Sequence, residues 1–193
     1  MLGGPGSGKG TSGQYLSGGL NLMHLSTGEA YRKHIKDETP IGLRVKEAIA
    51  AGGLADDETS VEVTRIQLKE SSGVDFPTVG HIFDGFPRTL SQAPLLDGLI
   101  NELELGELDL VIYLNVSDET LLTRLKDRAL VSGRVEDSDE EYCKKRIRVF
   151  HEQTEPLIQL YREKGILREI PECDLQGLYS ELDKIVAEIT ENV

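Results

Sequence analysis

The chain has 193 residues, 38% of them hydrophobic and 28% charged, with a formal net charge of −13. That length suits one globular domain with a sizeable core and small inserted lobes, and leaves too little chain for two domains of ordinary size. The acidic balance argues against a nucleic-acid or anionic-membrane partner, since the longest basic run is "KKR" at 144–146.

There is no apolar run of 18 residues and no signal-like start, so the expected setting is cytoplasmic. Cys143 and Cys173 lie far apart, without the paired Cys or His spacing of a disulfide framework or a zinc knuckle.

The chain opens "MLGGPGSGKGTSGQY". Gly3 to Gly8 followed by Lys9 has the G-x-x-x-x-G-K spacing of a phosphate-binding loop, where glycines let the backbone curl with its N–H groups inward. Lys9 would reach the β/γ phosphates, and the helix after it would add its positive end. The Ser or Thr that usually follows the lysine is replaced by Gly10, with Thr11 one place later. The stretch "GGPGSGKGT" resembles the phosphate loop of adenylate kinases and their nucleoside monophosphate kinase relatives. On that resemblance, Gly6, Ser7, Gly8, Lys9, Gly10 and Thr11 would bind ATP.

Short apolar runs then alternate with helical patterns: "LMHL" at 22–25, "VGHIFD" at 79–84, "LDLVIYL" at 108–114 and "GILREI" at 165–170. The alternation predicts an α/β fold with a mainly parallel sheet covered on both faces, and 108–114 as a central strand. The family's P-loop architecture would make this one domain over 1–193, with a central parallel sheet of five strands. A monophosphate-binding lobe would span 26–55 and a short lid 128–138. Only Met1 and Leu2 precede the loop, so the first strand is expected to be truncated, with an intact loop and lowered stability. Ser117 is a candidate N-cap for the helix at 117–128, with Asp118 and Glu119 in its first turn. Pro156 should break the long helical pattern at 139–163 near Thr154 and Glu155. Leu178, Leu182, Ile185, Val186 and Ile189 share one face of a C-terminal helix.

Three further motifs carry the resemblance. "HLSTGEAYR" at 24–32 implies Thr27 against the base and Arg32 on the monophosphate, where a planar fork suits phosphate oxygens; an ordinary helix start capped by Ser26 or Thr27 is the alternative. "DGFPRTLSQA" at 84–93 resembles D-G-[FY]-P-R-x-x-x-Q, implying Gly85, Phe86, Pro87, Arg88 and Gln92 at the AMP site. Asp84 would face Mg²⁺ through water, a metal that keeps several waters and takes one or two carboxylates. In "AGGLADDE" at 51–58, the backbone of Gly53, Leu54 and Ala55 would line the adenine pocket. A Gln amide donates and accepts at once, matching adenine's Watson–Crick edge, and Gln92 with Thr27 points to AMP; the pyrimidine-directed relatives typically carry Asn and Ala there.

The last motif, "LLTRLKDRALVSGRVEDSDEEYCKKR" at 121–146, resembles the short lid, with Glu136–Asp137 where Asp–Asp is usual and one extra residue before "KKR". It implies Arg124 stacked on the ATP adenine, Arg128 on its phosphates, and Arg134 and Arg146 over the transferring group and the AMP side. Arg124 and Arg128 could instead form i,i+4 pairs on an exposed helix. The lid is too short for the zinc-carrying form, so no zinc is expected. Cys173 would offer a backbone contact to the ATP adenine.

Together the resemblance implies MgATP + AMP ⇌ 2 ADP, with Lys9, Arg88, Arg128, Arg134 and Arg146 catalytic, in a monomer. The alternatives are a UMP/CMP kinase or a weakly catalytic nucleotide-binding module. Seven of the 21 lysines and arginines (Lys9, Arg32, Arg88, Arg124, Arg128, Arg134, Arg146) would then lie in one cleft, leaving the remaining surface more acidic than the total suggests.

Overall fold

The computed structural model describes residues 1–71, 80–132 and 134–191. Val79 of the third predicted strand and Gly133 of the lid pattern lie outside the described residues. Two parallel ladders organise the chain. Strand β1 (Leu2–Gly3) pairs with β4 (Val111–Asn115), and β4 with β5 (Leu167–Pro171), while β2 (Leu22–Ser26) pairs with β3 (Gly80–Asp84).

Where a central sheet of five strands is expected, the hydrogen-bonded ladders are one of three strands and one of two. The reason lies in β1. Its two residues complete their ladder with β4 through Leu2↔Tyr113 and Gly3↔Leu114. Across the seam, the Met1 ammonium donates to the Phe83 carbonyl at 2.8 Å. Burial lowers that amine to about 6, with Asp84 opposing the shift and Lys9 adding to it.

Side chains alternate across β4, and both faces are buried. Val111 and Tyr113 pack with Leu157, Ile158 and Tyr161 of α8 (Pro156–Glu163). Ile112 and Leu114 pack with Leu16 of α1 (Lys9–Leu20) and with Leu178, Leu182 and Ile185 of α9 (Leu175–Glu191). Ile82 of β3 and Ile170 of β5 belong to the same cluster, so one apolar layer spans both ladders. This is the period-two burial on both faces that a near-continuous apolar strand predicts. On α9, Leu178, Leu182 and Ile185 are buried as expected, while Ile189 is 39% exposed.

A separate cluster of Tyr31, Ile41, Val45, Ala55 and Val63 holds a lobe of α2 (Thr27–Lys36), α3 (Pro40–Ala50) and the start of α4 (Asp57–Ser71). Its helices α3 and α4 begin on polar caps, Thr39 accepting from Gly42 N at 3.1 Å and Asp56 from Thr59 N at 2.8 Å, while Ser26 before α2 makes no side-chain cap bond. Helix α5 (Gln92–Glu102) follows β3, and α6 (Asp118–Ser132) follows β4, with Ser117 Oγ accepting from Thr120 N at 3.4 Å.

The break caused by Pro156 takes in Thr154 and Glu155 as expected and reaches back to Phe150. Between α7 (Glu140–Val149) and α8 the chain widens into a π turn at Phe150–Thr154, where Glu155 N bonds to Phe150 O at 2.9 Å. Proline lacks the N–H and its ring crowds the carbonyl four residues back, so the disturbance lands on the preceding turn. No helix among the described residues is long and apolar enough to cross a membrane.

Candidate functional site

The carboxyl ends of β1, β2 and β3 open onto a cleft of about 380 Å³, as sites on parallel sheets do. Its floor is the glycine loop. Gly6 and Gly8 have φ of +88° and +103°, a region that side-chain-bearing residues rarely enter. Gly8 stands at the N-cap of α1 with no side-chain cap, so the helix presents its first N–H groups to the cleft. Lys9 folds back across the loop, donating to the carbonyls of Gly3 at 2.7 Å and Gly4 at 2.9 Å.

Cations crowd this space. Arg32, Arg88, Arg124, Arg128, Arg134 and Arg146 all line it, with Lys9 and Asp84 at its base. Burial lowers Lys9 from 10.5 to about 8; Asp84 resists the shift, and Arg88, Arg146 and Arg128 add to it. Burial also lowers Arg32, Arg88 and Arg134, and in each a neighbouring arginine adds to the effect. Asp84 stays anionic, at about 2. Burial works against that value, and it is outweighed by His24, whose Nε2 lies 3.4 Å from Asp84 Oδ2, and by Lys9, Arg88 and the Met1 amine. Cations held below their ordinary values mark a place where a polyanion would be stabilised.

On one wall, β3 is followed by Gly85, whose φ is +91°. A Cβ there would lie 2.5 Å from Thr27 Oγ1 and 2.8 Å from Arg88 Nη2, so only glycine lets those side chains converge. Arg88 Nε donates to Gly85 O at 2.9 Å, and Arg88 N donates to Gln92 Oε1 at 2.7 Å. Gln92 Nε2 in turn donates to Asp57 Oδ1 at 2.9 Å. Gln92 and Ala55 line a small adjoining cleft with Tyr31, Ile49, Leu54, Ser60, Gly85 and Arg88.

The opposite wall comes from α6 and α7. Arg128 Nε and Nη2 reach Asp137 Oδ2 at 2.8 and 2.7 Å, and Arg146 Nη1 reaches Asp137 Oδ1 at 2.9 Å. Asp137 is 0% exposed. It holds two arginines on one buried carboxylate, and motif reading had marked it only as the second acid of Glu136–Asp137. Arg124 spans the loop and the chain after β5, donating to Ser7 O at 3.5 Å and Cys173 O at 3.2 Å. These partners differ from the i,i+4 pairing open to Arg124 and Arg128 from sequence.

Most residues singled out from sequence meet here. Gly6, Gly8, Gly10, Thr11, Gly53, Leu54, Gly85 and Pro87 line the main cleft. Ser7 is buried beneath the loop, and Thr27 beneath Gly85. Cys173 meets the site through its carbonyl on Arg124. The Phe86 side chain turns away into the core with Leu96 and Ile100.

The sequence reading missed three groups: Asp57, Asp137 and His24. The signal for Asp57 and Asp137 was an acid within a motif, and for His24 a residue just before "LSTG".

Among the described residues no three His, Cys, Asp or Glu side chains cluster as a metal cage. A lone anionic Asp84 beside a phosphate loop fits Mg²⁺, which takes one or two carboxylates and draws its remaining ligands from phosphates and water.

Comparison with known proteins places this geometry in a family. A family model described as ADK, adenylate kinase, matches residues 1–166. A protein named adenylate kinase from Synechococcus sp. (strain JA-2-3B'a(2-13)) is 40% identical over 170 residues, 88% of this chain and 85% of the relative. One of the same name from Flavobacterium psychrophilum (strain ATCC 49511 / DSM 21280 / CIP 103535 / JIP02/86) is 34% identical over 193 residues, covering 100% of this chain and 97% of the relative. Another from Prochlorococcus marinus (strain AS9601) is 36% identical over 188 residues, 97% of each.

Proposed function

The chain belongs to the adenylate kinase family, and from that premise we propose that it transfers a phosphoryl group reversibly from MgATP to AMP, giving two ADP. The observation that carries the proposal is the convergence of Lys9, Arg32, Arg88, Arg128, Arg134 and Arg146 on one cleft, between a glycine loop and the Thr27–Gly85–Arg88 wall.

The loop amides and Lys9 take the donor phosphates, exchanging Lys9's contacts with Gly3 O and Gly4 O for phosphate oxygens. Arg32 and Arg88 hold the acceptor phosphate, and Arg124 covers the donor base beside Cys173. An oxygen of the AMP phosphate attacks the γ-phosphorus in line. The bond to the β–γ bridging oxygen breaks, and no protein nucleophile takes part. Arg88, Arg128, Arg134 and Arg146 neutralise charge on the equatorial oxygens, and positioning supplies much of the rate. Asp84 would hold Mg²⁺ through water; when bound, the ion neutralises phosphate charge and orients the oxygens.

The lobe at 26–55 and the lid at 128–138 are read as moving parts that close to exclude water, which would otherwise accept the phosphoryl group. The two ladders, with their shared apolar layer, are read as halves of one five-stranded core joined at Met1–Phe83.

AMP is favoured over the pyrimidine monophosphates by Gln92, whose amide pairs with adenine's donor and acceptor together. A coupled assay of ADP formation from ATP with AMP, CMP, UMP and GMP tests the proposal. The expected result is turnover with AMP far above the others; a folded protein making no product with any acceptor would overturn it.

A further inference from the structure

We propose that Asp57 is a positioning residue that locks the Gln92 amide in the one orientation that accepts adenine and refuses a 6-oxopurine. The inference rests on the reading of the Gln92 cleft as the acceptor-base site.

Gln92 is 2% exposed, and both ends of its amide are tied. Nε2 donates to Asp57 Oδ1 at 2.9 Å, and Oε1 accepts from Arg88 N at 2.7 Å. A carboxylate only accepts and a main-chain N–H only donates, so the partners themselves dictate which end is oxygen and which is nitrogen. Asp57 is itself braced, because its second oxygen accepts from Ser91 Oγ at 2.7 Å and Ser91 Oγ lies 2.8 Å from Thr89 Oγ1. Capping α4 is not its task, since Asp56 takes both the amide and the hydroxyl of Thr59.

A primary amide offers two N–H donors and two lone pairs. The network uses one of each, leaving one donor and one acceptor for a ligand. Adenine presents an amino donor at C6 and an acceptor at N1, which match that remaining pair. Hypoxanthine and guanine present the reverse, an oxygen at C6 and an N1–H. Pairing with them needs a flipped amide, which would set Oε1 against the Asp57 carboxylate and the NH₂ group against the Arg88 N–H. Two unpaired polar contacts in a buried site make a strong rejection.

The probe is inosine monophosphate, which differs from AMP only at this edge. Initial rates with ATP give kcat/KM for AMP and IMP in the wild type, Asp57→Asn, Asp57→Ser and Gln92→Ala, with thermal melts to confirm folding. Asn keeps the size of Asp57 and can accept or donate, so it removes the carboxylate's opposition to the flipped amide and leaves only the Arg88 N–H against it. A purely structural role would survive that change. The expected result is that Asp57→Asn narrows the AMP-to-IMP ratio by about tenfold or more, through opposite shifts in the two KM values. KM for ATP should be unmoved, and Asp57→Ser should act in the same direction.

A wild-type ratio retained in both Asp57 variants, while Gln92→Ala collapses it, would overturn the lock and leave the acceptor-site reading standing. A folded wild type that makes no ADP from AMP would overturn that reading and the lock with it.

Discussion

The two sides of the cleft are made of different material. The side proposed for the donor is main chain: glycines at positive φ, a helix start without a side-chain cap, and one lysine lying across the loop carbonyls. The sides proposed for the acceptor and the lid are side chains held by their neighbours: Arg88 on Gly85 and Gln92, Gln92 on Asp57, Arg128 and Arg146 on Asp137. A backbone site is fixed once its turns are fixed. A side-chain site is only as well placed as the last partner in its chain of contacts, so single substitutions there should separate binding from chemistry.

The largest separation is expected at Arg88, which is half-buried on the wall proposed for the acceptor and hydrogen-bonds to Gly85 and Gln92 rather than to the glycine loop. Arg88→Ala should lower kcat by about 10²–10³-fold, the scale of removing one charge-stabilising donor from a reacting centre. ATP affinity, measured by equilibrium binding, should stay near wild type because the main-chain half is untouched. Near-normal turnover in this variant would mean that the acceptor phosphate sits elsewhere.

Asp137 comes next, and its effect is on the fold of the lid wall. Its carboxylate is fully buried while its arginine partners keep some solvent contact, Arg128 at 27% and Arg146 at 23% side-chain exposure. Asp137→Asn removes the charge and leaves a single acceptor for two guanidinium groups. A fully buried pair broken this way costs 3–5 kcal/mol, and solvent at the arginines reduces the expected loss to about 2 kcal/mol, or about 4–8 °C in Tm. An unchanged melting temperature would show the arginines to be held by something other than this carboxylate.

These two residues also show what could be read from sequence. Arg88 was legible because its motif is local: a strand end, a positive-φ glycine and an arginine within five residues. The glycine loop was legible for the same reason, since its chemistry is a property of consecutive backbone units. Asp137 was present in the lid pattern, but its role depends on how α6 and α7 pack, and spacing alone does not report packing. The same holds for Asp57, thirty-five residues before the amide it faces. Phe86 shows another limit, a residue inside a site motif whose side chain serves the core. The strand order was read correctly as parallel, whereas the split between ladders follows from β1 having two residues, a quantity that apolar patterning does not convert into hydrogen bonds. Pro156 announced a break near Thr154 and Glu155, and only its extension back to Phe150 depended on how the helix redirects its hydrogen bonds.

A smaller effect is expected at Gln92, where shortening the side chain by one methylene withdraws the amide from both Asp57 and Arg88 N. Gln92→Asn should reduce the preference for AMP over CMP or UMP by about tenfold, the usual scale for one misplaced specificity contact. ATP affinity should again be unchanged. If selectivity stays intact, base recognition lies with other residues of the small cleft, and the acceptor half depends less on side-chain relays than this contrast holds.

The smallest effect tests the donor half through its one side chain. Lys9 is lowered to about 8 in the folded chain from 10.5, chiefly by burial and then by its arginine neighbours. Phosphate oxygens favour the ammonium, so ATP binding raises that value and takes up protons near pH 8, and affinity falls as pH rises through 8. The arginines remain charged throughout, so the loss between pH 7.5 and 9 should be about threefold. Stability has the opposite sign. Above about 8 the unfolded chain holds the Lys9 proton more tightly than the folded one, so this group's unfavourable contribution disappears between about 8 and 10.5 as pH rises. Comparing the wild type with Lys9→Met isolates the group from the other lysines and tyrosines: the difference in ATP affinity should shrink with pH while the stability gap closes over the same range. If the difference in ATP affinity stays constant with pH while the stability gap closes, the lysine's charge is not what links the loop to its ligand, and the donor half works through its backbone alone.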